Sequence, residues 1–376
     1  MKLLARILLW IGLAAVLLIG AVEAVMWIFF PAPRVAQVFE FENQIHGLSE
    51  KVSFEIDQKY ARRWAPEHSG GGKEIHIVCL GGSATTAVLQ NAQETWWGQT
   101  AAKLKKEFPE SRFHVTTLAV EHRGILYGAK WAEEHLPQLR PDLVIAMYGF
   151  DDILLHPANY QYDPNKITKL KLDGQRRGKL KTFLVKVSQI CRRISYARQR
   201  YALADKLRVL REKNYFSKFL RTERAIYPQL PVKYEVKREE GGDPVAEYLD
   251  GLRLLSAAAK KAGASLCIIG EPTLNTGLMG AVEERMVHRW WVFDPKQGNK
   301  GVVRVDPGGI EMELNRYQRA AARFCQDQGI PFVNLHGKLA PKLENFVDDV
   351  ILTNLGAAAA ADLILPAVQP LVKSKL

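Results

Sequence analysis

Four cysteines in 376 residues (Cys79, Cys191, Cys267 and Cys325) are too few and too scattered for a disulfide framework or a zinc site. Cys79 and Cys267 lie inside apolar runs, where a thiol serves as a small buried hydrophobe. No histidine-rich tract, Gly-x-y pattern or repeat with a period of about 20–50 residues occurs, which excludes collagen-like and repeat architectures. Low-complexity stretches are missing as well. The composition, 47% hydrophobic and 24% charged, is a globular balance and excludes a disordered chain. At about 100–200 residues per domain, the length allows two domains or one large domain with an insertion.

The longest apolar stretch is at the N-terminus. From Leu3 to Phe30 it is interrupted only by Arg6 and Glu23. A helix needs about 20 such residues to span a bilayer, and Ile7–Phe30 supplies them. Lys2 and Arg6 precede the stretch, while Arg34 and then Glu40, Glu42 and Glu50 follow it. The positive-inside bias therefore places the N-terminus in the cytoplasm and the body of the chain outside. The competing reading is a cleaved signal peptide, with Val22-Glu23-Ala24 as a loose cleavage site. Apolar residues continue past it to Phe30, which favours an uncleaved single-pass anchor over residues 1–30 in a bacterial inner membrane, with a periplasmic main domain. Such a compartment excludes nucleic acid as the natural partner of a chain with net charge +12.

Residues 31–72 read as a juxtamembrane connector ending in Ser69-Gly70-Gly71-Gly72, a composition that holds no packed conformation by itself. Beyond it, apolar runs alternate with helical patterns. The expected strands are Ile75–Leu80, Phe113–Ala119, Leu143–Tyr148, Ser265–Gly270 and Phe332–Leu335. The expected helices are Thr95–Phe108, Tyr127–Leu136, Val245–Ala262, Glu311–Gln328 and Thr353–Val368. Continuously apolar strands separated by helices predict a parallel sheet covered on both faces, the doubly wound α/β class. Ligands in that class bind beyond the carboxyl ends of the strands.

One block breaks the alternation. Residues 166–224 hold nineteen Lys/Arg against four Asp/Glu, a local balance of +15 in a chain of +12, so the remainder sums to −3. Within this basic insertion, spanning about residues 160–240, apolar residues from Phe183 to Leu210 recur at steps of three and four. They form the narrow seam of an amphipathic helix with a cationic opposite face. Arg192, Arg193, Arg198 and Arg200 crowd its middle. Packing on its own domain, docking on anionic lipid and docking on a partner helix or acidic polymer are all consistent with this pattern.

The first core strand runs into Gly81-Gly82-Ser83-Ala84-Thr85. A serine at a glycine-flanked strand-to-helix turn sits at the ligand edge of the sheet, where backbone N–H groups can stabilise an oxyanion. A helix N-cap in a glycine-rich turn is the plainer reading of the same residues. The runs IHIVCLGGSATTAV, ETWWGQTAAKL, RPDLVIAMYGFDDI and FVDDVILTNLGAAAAADLI together resemble the SGNH (GDSL-like) hydrolase family, and within it the membrane-anchored bacterial envelope branch. The resemblance covers residues 74–156 and 243–368. It implies a flavodoxin-like three-layer α/β/α sandwich for residues 73–376. It also implies ester hydrolysis or acyl transfer by a serine nucleophile, a histidine base and an orienting aspartate, with no cofactor.

Carried over by position, the resemblance puts Ser83 at the nucleophile and Asp348 at the triad acid. The oxyanion block, Gly-x-Asn-Asp in the family, reads Gly149-Phe150-Asp151-Asp152, and Leu118-Ala119-Val120 stands where the family has Asn-Ala-Gly. The final block, Asp-x-x-His-Leu-Thr-x-x-Gly, is matched from Asp348 to Gly356 except that Ile351 replaces the histidine. Serine is a poor nucleophile without a base, and an ionised Asp151 opposes an oxyanion. His122, His156 and His336 follow strands or turns at the same edge, but none holds the family position. Glu271-Pro272-Thr273 matches a loop bordering the family's cleft, so Glu271 and Thr273 are candidate binding residues, with Trp290 and Trp291 as candidate groove residues. Asp151, Asp152, Asp348 and Asp349 read as solvated acids or partners of the basic insertion, not as a metal site. The expectation is a non-catalytic or impaired SGNH-like subunit that binds or scaffolds an envelope complex. The alternative is a serine esterase or O-acyltransferase acting on a cell-surface polysaccharide, working beside a membrane acyltransferase.

Overall fold

Five apolar runs of three to eight residues build the centre of the protein, and all but the shortest are buried on both faces at the carboxyl half. The computed structural model describes residues 18, 21–22, 37–42, 47–56, 61–67, 72–87, 89–120, 123–155, 232–233, 244–280, 283, 291–293, 302–305 and 307–376. The chain divides into two units, residues 1–37 with 171–212 and residues 38–170 with 213–376. In the first unit Leu18, Ala21 and Val22 are helical. The rest of the expected anchor, and the expected seam with Arg192, Arg193, Arg198 and Arg200, lie outside the described residues.

The described elements run β1 (Gln37–Glu42), β2 (Lys51–Ile56), β3 (Arg62–Trp64), β4 (Glu74–Gly81), α1 (Ser83–Thr86), α2 (Trp96–Glu107), β5 (Arg112–Ala119), α3 (Ile125–Leu139), β6 (Leu143–Tyr148), α4 (Phe150–Leu155), β7 (Val232–Lys233), α5 (Pro244–Lys261), β8 (Ser265–Gly270), β9 (Trp291–Phe293), β10 (Val302–Val305), α6 (Pro307–Gln328), β11 (Phe332–Asn334) and α7 (Asn354–Lys373). The main sheet has the order β11-β8-β6-β4-β5-β3. All its pairings are parallel except β3 on β5, where Arg63 lies opposite Thr116. Ala119, Gly81, Met147, Ile269 and Val333 form one row across the five parallel strands. Numbered by chain order, those strands follow 2-1-3-4-5, the flavodoxin-like order, and its switch point falls between β4 and β6.

The period of two along each strand supplies both faces. Ile75, Ile77, Cys79, Leu143, Ile145, Met147, Cys267 and Ile269 join Trp96, Trp97 and Leu104 of α2 and Ala360, Ile364 and Val368 of α7 in one core. The alternate residues Val78, Leu80, Val144, Ala146 and Ile268 are buried on the other side, where α3, α5 and α6 pack together. Leu104 is fully buried. Leu104→Ala is expected to lower stability by about 3 kcal/mol, read as a shift of the urea midpoint at unchanged slope.

Helix starts follow local chemistry. Thr95 and Thr353 each cap a helix by accepting the N–H of Gly98 or Gly356 at 3.0 Å. The helix expected from Glu311 begins earlier, at Pro307, since proline suits a first helical position and the following glycines hide the helical pattern. Among the described residues, α7 alone is long and apolar enough to cross a membrane by length and composition. Its small and branched residues are nevertheless packed into the core, and its Asp362 pairs with Lys103 of α2 at 2.6 Å. Within the stretch read as a connector, β3 is an edge strand of the main sheet, and β1 pairs with β2. Three residues are too few to carry a strand signal in the sequence.

Candidate functional site

The site begins where β4 ends. Gly82 is required by close approach: a Cβ there would lie 2.0 Å from Asp151 Oδ2. Ser83 opens α1, a single turn closed by the N–H groups of Thr85 and Thr86 on Gly82 O, both at 3.1 Å. The turn stops at Ala87, which takes the left-handed conformation with φ 43°, an unfavourable choice for a residue carrying a Cβ. Ser83 is therefore held at the carboxyl edge of the sheet, at the switch point, as the strand-to-helix reading predicts.

Three carboxylates converge on this turn. Asp151 Oδ2 accepts the backbone N–H of Ser83 at 2.7 Å, and its Oδ1 accepts the Ser83 hydroxyl at 3.2 Å. Asp152 Oδ1 accepts the N–H of Ile125, the first residue of α3, at 2.8 Å. Glu271 Oε2 accepts the N–H of Phe150, the first residue of α4, at 2.8 Å, and Glu271 also bonds the N–H of Ala84. Each carboxylate thus sits at the positive end of a helix, where unsatisfied N–H groups and the peptide dipoles favour negative charge.

Compensation is incomplete. Asp151, Asp152 and Glu271 are 1%, 4% and 1% exposed, so the solvated acids expected at Asp151 and Asp152 are interior groups. Burial, with the charges of Asp151 and Glu247 adding to it, pushes the Asp152 carboxyl up to about 7 against the N–H bonds from Ile125 and Gly149. Burial and the neighbouring Asp151 and Asp152 hold Glu271 well above the ordinary carboxylate range. Asp152 Oδ2 and Glu271 Oε1 have no hydrogen-bond partner among the described residues. Burial and the neighbouring like charges act together, so Asp152 and Glu271 both keep their protons above the ordinary carboxylate range.

The final block lies on its own scaffold. Asp348 Oδ1 accepts the N–H groups of Val350 at 3.0 Å and Ile351 at 2.8 Å, bracing the turn that carries Ile351. Asp349 is bound to the Glu271–Asn275 loop: its Oδ1 accepts Asn275 Nδ2 at 2.6 Å, and its carbonyl accepts the Thr273 hydroxyl at 2.7 Å. Asp348 and Asp349 are buried as well, which corrects their reading as solvated acids. Glu271 and Thr273 are both 1% exposed, the first held by the N–H of Phe150 and the second by the carbonyl of Asp349. Gly149 has φ 145°, and Leu314 would lie 3.0 Å from a Cβ there. His336 is half-buried, and burial lowers its pKa against the pull of Glu311. His122, His156 and Trp290 lie outside the described residues, and Trp291 falls in β9. Beside Gly81, a cavity of about 10 Å³ between Leu118, Val120, Tyr127 and Tyr148 has room for one water.

Two contributors escaped the sequence reading. Gln318 of α6 donates its Nε2 to Glu271 O at 2.7 Å. Arg62 of β3 is 3% exposed and reaches the far end of α1. Burial lowers its pKa to about 10, so it stays charged at neutral pH.

A 2-1-3-4-5 sheet with a glycine-serine turn at its switch point and a threonine-capped last helix is a flavodoxin-like α/β/α fold. Solved structures similar to this chain include TesA (9% identity, TM-score 0.41, covering 79% of this chain and 99% of that one). The acetyl xylan esterase AlAXEase is 11% identical, with a TM-score of 0.40 and coverage of 78% and 100%. A catalytic mutant of Axe2, an acetylxylan esterase from Geobacillus stearothermophilus, is 12% identical, with a TM-score of 0.37 and coverage of 82% and 96%. No family model and no curated protein matches the chain.

Proposed function

We propose that this chain is a membrane-anchored, extracytoplasmic SGNH-like protein whose serine site is catalytically impaired, and that it serves as a binding or scaffold subunit of an envelope complex. One observation carries the reading: both donors of Ser83, its N–H and its hydroxyl, are given to the carboxylate of Asp151. A hydrolase needs that N–H free for the developing oxyanion and that hydroxyl turned toward a base. Here an internal anion takes the place of the oxyanion, and Ile351 stands where the resemblance has the base. The N-terminal helix would hold the protein in lipid. Arg192, Arg193, Arg198 and Arg200 would offer a cationic face to an acidic surface, a partner protein or a membrane acyltransferase, with polysaccharide as the bound polymer.

Full-length protein in detergent is expected to take no fluorophosphonate label at Ser83. It should also turn over p-nitrophenyl acetate no faster than Ser83→Ala. Labelling at Ser83, or turnover lost in Ser83→Ala, would instead establish the serine esterase or O-acyltransferase acting on acyl groups of a surface polysaccharide.

A further inference from the structure

Arg62 lies outside every stretch that the resemblance covers, yet it is tied to the serine turn. Its Nη1 donates to Thr86 O at 3.0 Å and Ala87 O at 2.7 Å, and its Nη2 donates to Gln90 O at 2.8 Å. Its guanidinium stands 5.4 Å from the centre of the Trp97 ring, while Trp97 Nε1 donates to Thr85 O at 3.2 Å. Thr86 O and Ala87 O lie at the C-terminal end of α1, where carbonyls face outward and a cation is favoured, and Ala87 O also accepts the N–H of Gln90 at 3.1 Å. They also frame Ala87, whose left-handed backbone needs something to hold it.

The same segment grips the other half of the site. Gly47 O accepts the N–H of Asn354, just after the Asp348–Thr353 block. Gly47 has φ 83°, and a Cβ there would lie 2.7 Å from Thr353 Cγ2. Asn354 Nδ2 donates to Ser49 Oγ at 3.2 Å, and its Oδ1 accepts Gln90 Nε2 at 3.0 Å. Ser49 also bonds Glu94, and Ser53 N donates to Asn91 Oδ1 at 2.8 Å. Gln90 therefore joins the two grips, accepting from Arg62 on its carbonyl and donating to Asn354 from its side chain.

We propose that residues 47–56 and β3 together strap the serine turn closed on Asp151, with Arg62 as the residue that positions Ser83, so that release of these contacts opens the turn. Displacing these contacts loosens Ser83 while the five parallel strands stay paired. This goes beyond the impaired-subunit reading and does not depend on it, because the turn can be held closed in an active or an inactive protein.

The test uses full-length protein carrying Ser83→Cys and follows iodoacetamide alkylation of the thiol at position 83 by peptide mass spectrometry. Cys79, on the preceding strand β4 and fully buried, is the internal control. Adding Arg62→Gln is expected to raise alkylation at position 83 at least 10-fold and leave Cys79 unreacted, and Arg62→Lys should give an intermediate rate. Asn354→Ala, which leaves Arg62 intact, should raise it about 3-fold through Gln90 and Ser49. An unchanged rate at position 83 in folded Arg62→Gln, or a parallel rise at Cys79, would overturn the strap. If Arg62→Gln does not fold, Asn354→Ala decides alone: a rise confined to position 83 supports the proposal, and no rise overturns it.

Discussion

Replacing Asp151 by asparagine and Ile351 by histidine together is expected to create fluorophosphonate labelling at Ser83 that neither change produces alone. Asparagine keeps the shape of aspartate but carries no charge and can present an N–H₂ group to an oxyanion. It also releases the Ser83 N–H from a charge-assisted bond at 2.7 Å. Histidine at position 351 restores an ionisable base on a turn already braced by Asp348. A general base supplies roughly 10²–10⁴-fold and an oxyanion donor about 10²–10³-fold. Groups acting as a unit are non-additive, so each single variant should stay near background. Ester turnover in the double variant should exceed that of either single variant by at least about 10²-fold and vanish when Ser83→Ala is added. A double variant that folds and takes no label would contradict the reading that Asp151 and Ile351 silence Ser83.

The protein is expected to lose stability as pH rises from about 4 to 8, the reverse of the usual behaviour of carboxylates. Asp152 binds its proton up to about 7 in the folded state, driven first by burial, against an ordinary value of 3.8. Between those values the folded state holds more protons than the unfolded chain, so stability is fully present below the lower one and drains away through the upper one. On the order of 4 kcal/mol rides on Asp152 by this linkage, and Glu271 is shifted in the same direction. The melting midpoint at pH 8 should accordingly lie at least about 5 °C below that at pH 5. Asp152→Asn should flatten the profile and be more stable than the parent at pH 8, since its amide oxygen can still accept the Ile125 N–H. A midpoint that rises with pH, or an Asp152→Asn profile parallel to that of the parent, would contradict a proton held on Asp152.

The sequence by itself determined the layers and the class of the site. All five core strands and the five long helices were legible because burial on both faces of a parallel sheet writes a local signature, apolar runs alternating with amphipathic ones. The serine turn was legible from its glycines, and Ile351 stood out within a block that otherwise matches the resemblance. What only the tertiary structure decided is non-local. Asp151 was visible as a charge in the wrong block, but its carboxylate takes both donors of a serine 68 positions away. Glu271 was visible beside a cleft-bordering loop, but its partner was not: parallel pairing of β6 and β8 brings it under the start of α4, where it accepts the N–H of Phe150. Arg62 had no signal at all. Its strand is three residues long, and its three acceptors are carbonyl oxygens, which every residue possesses and no sequence pattern marks.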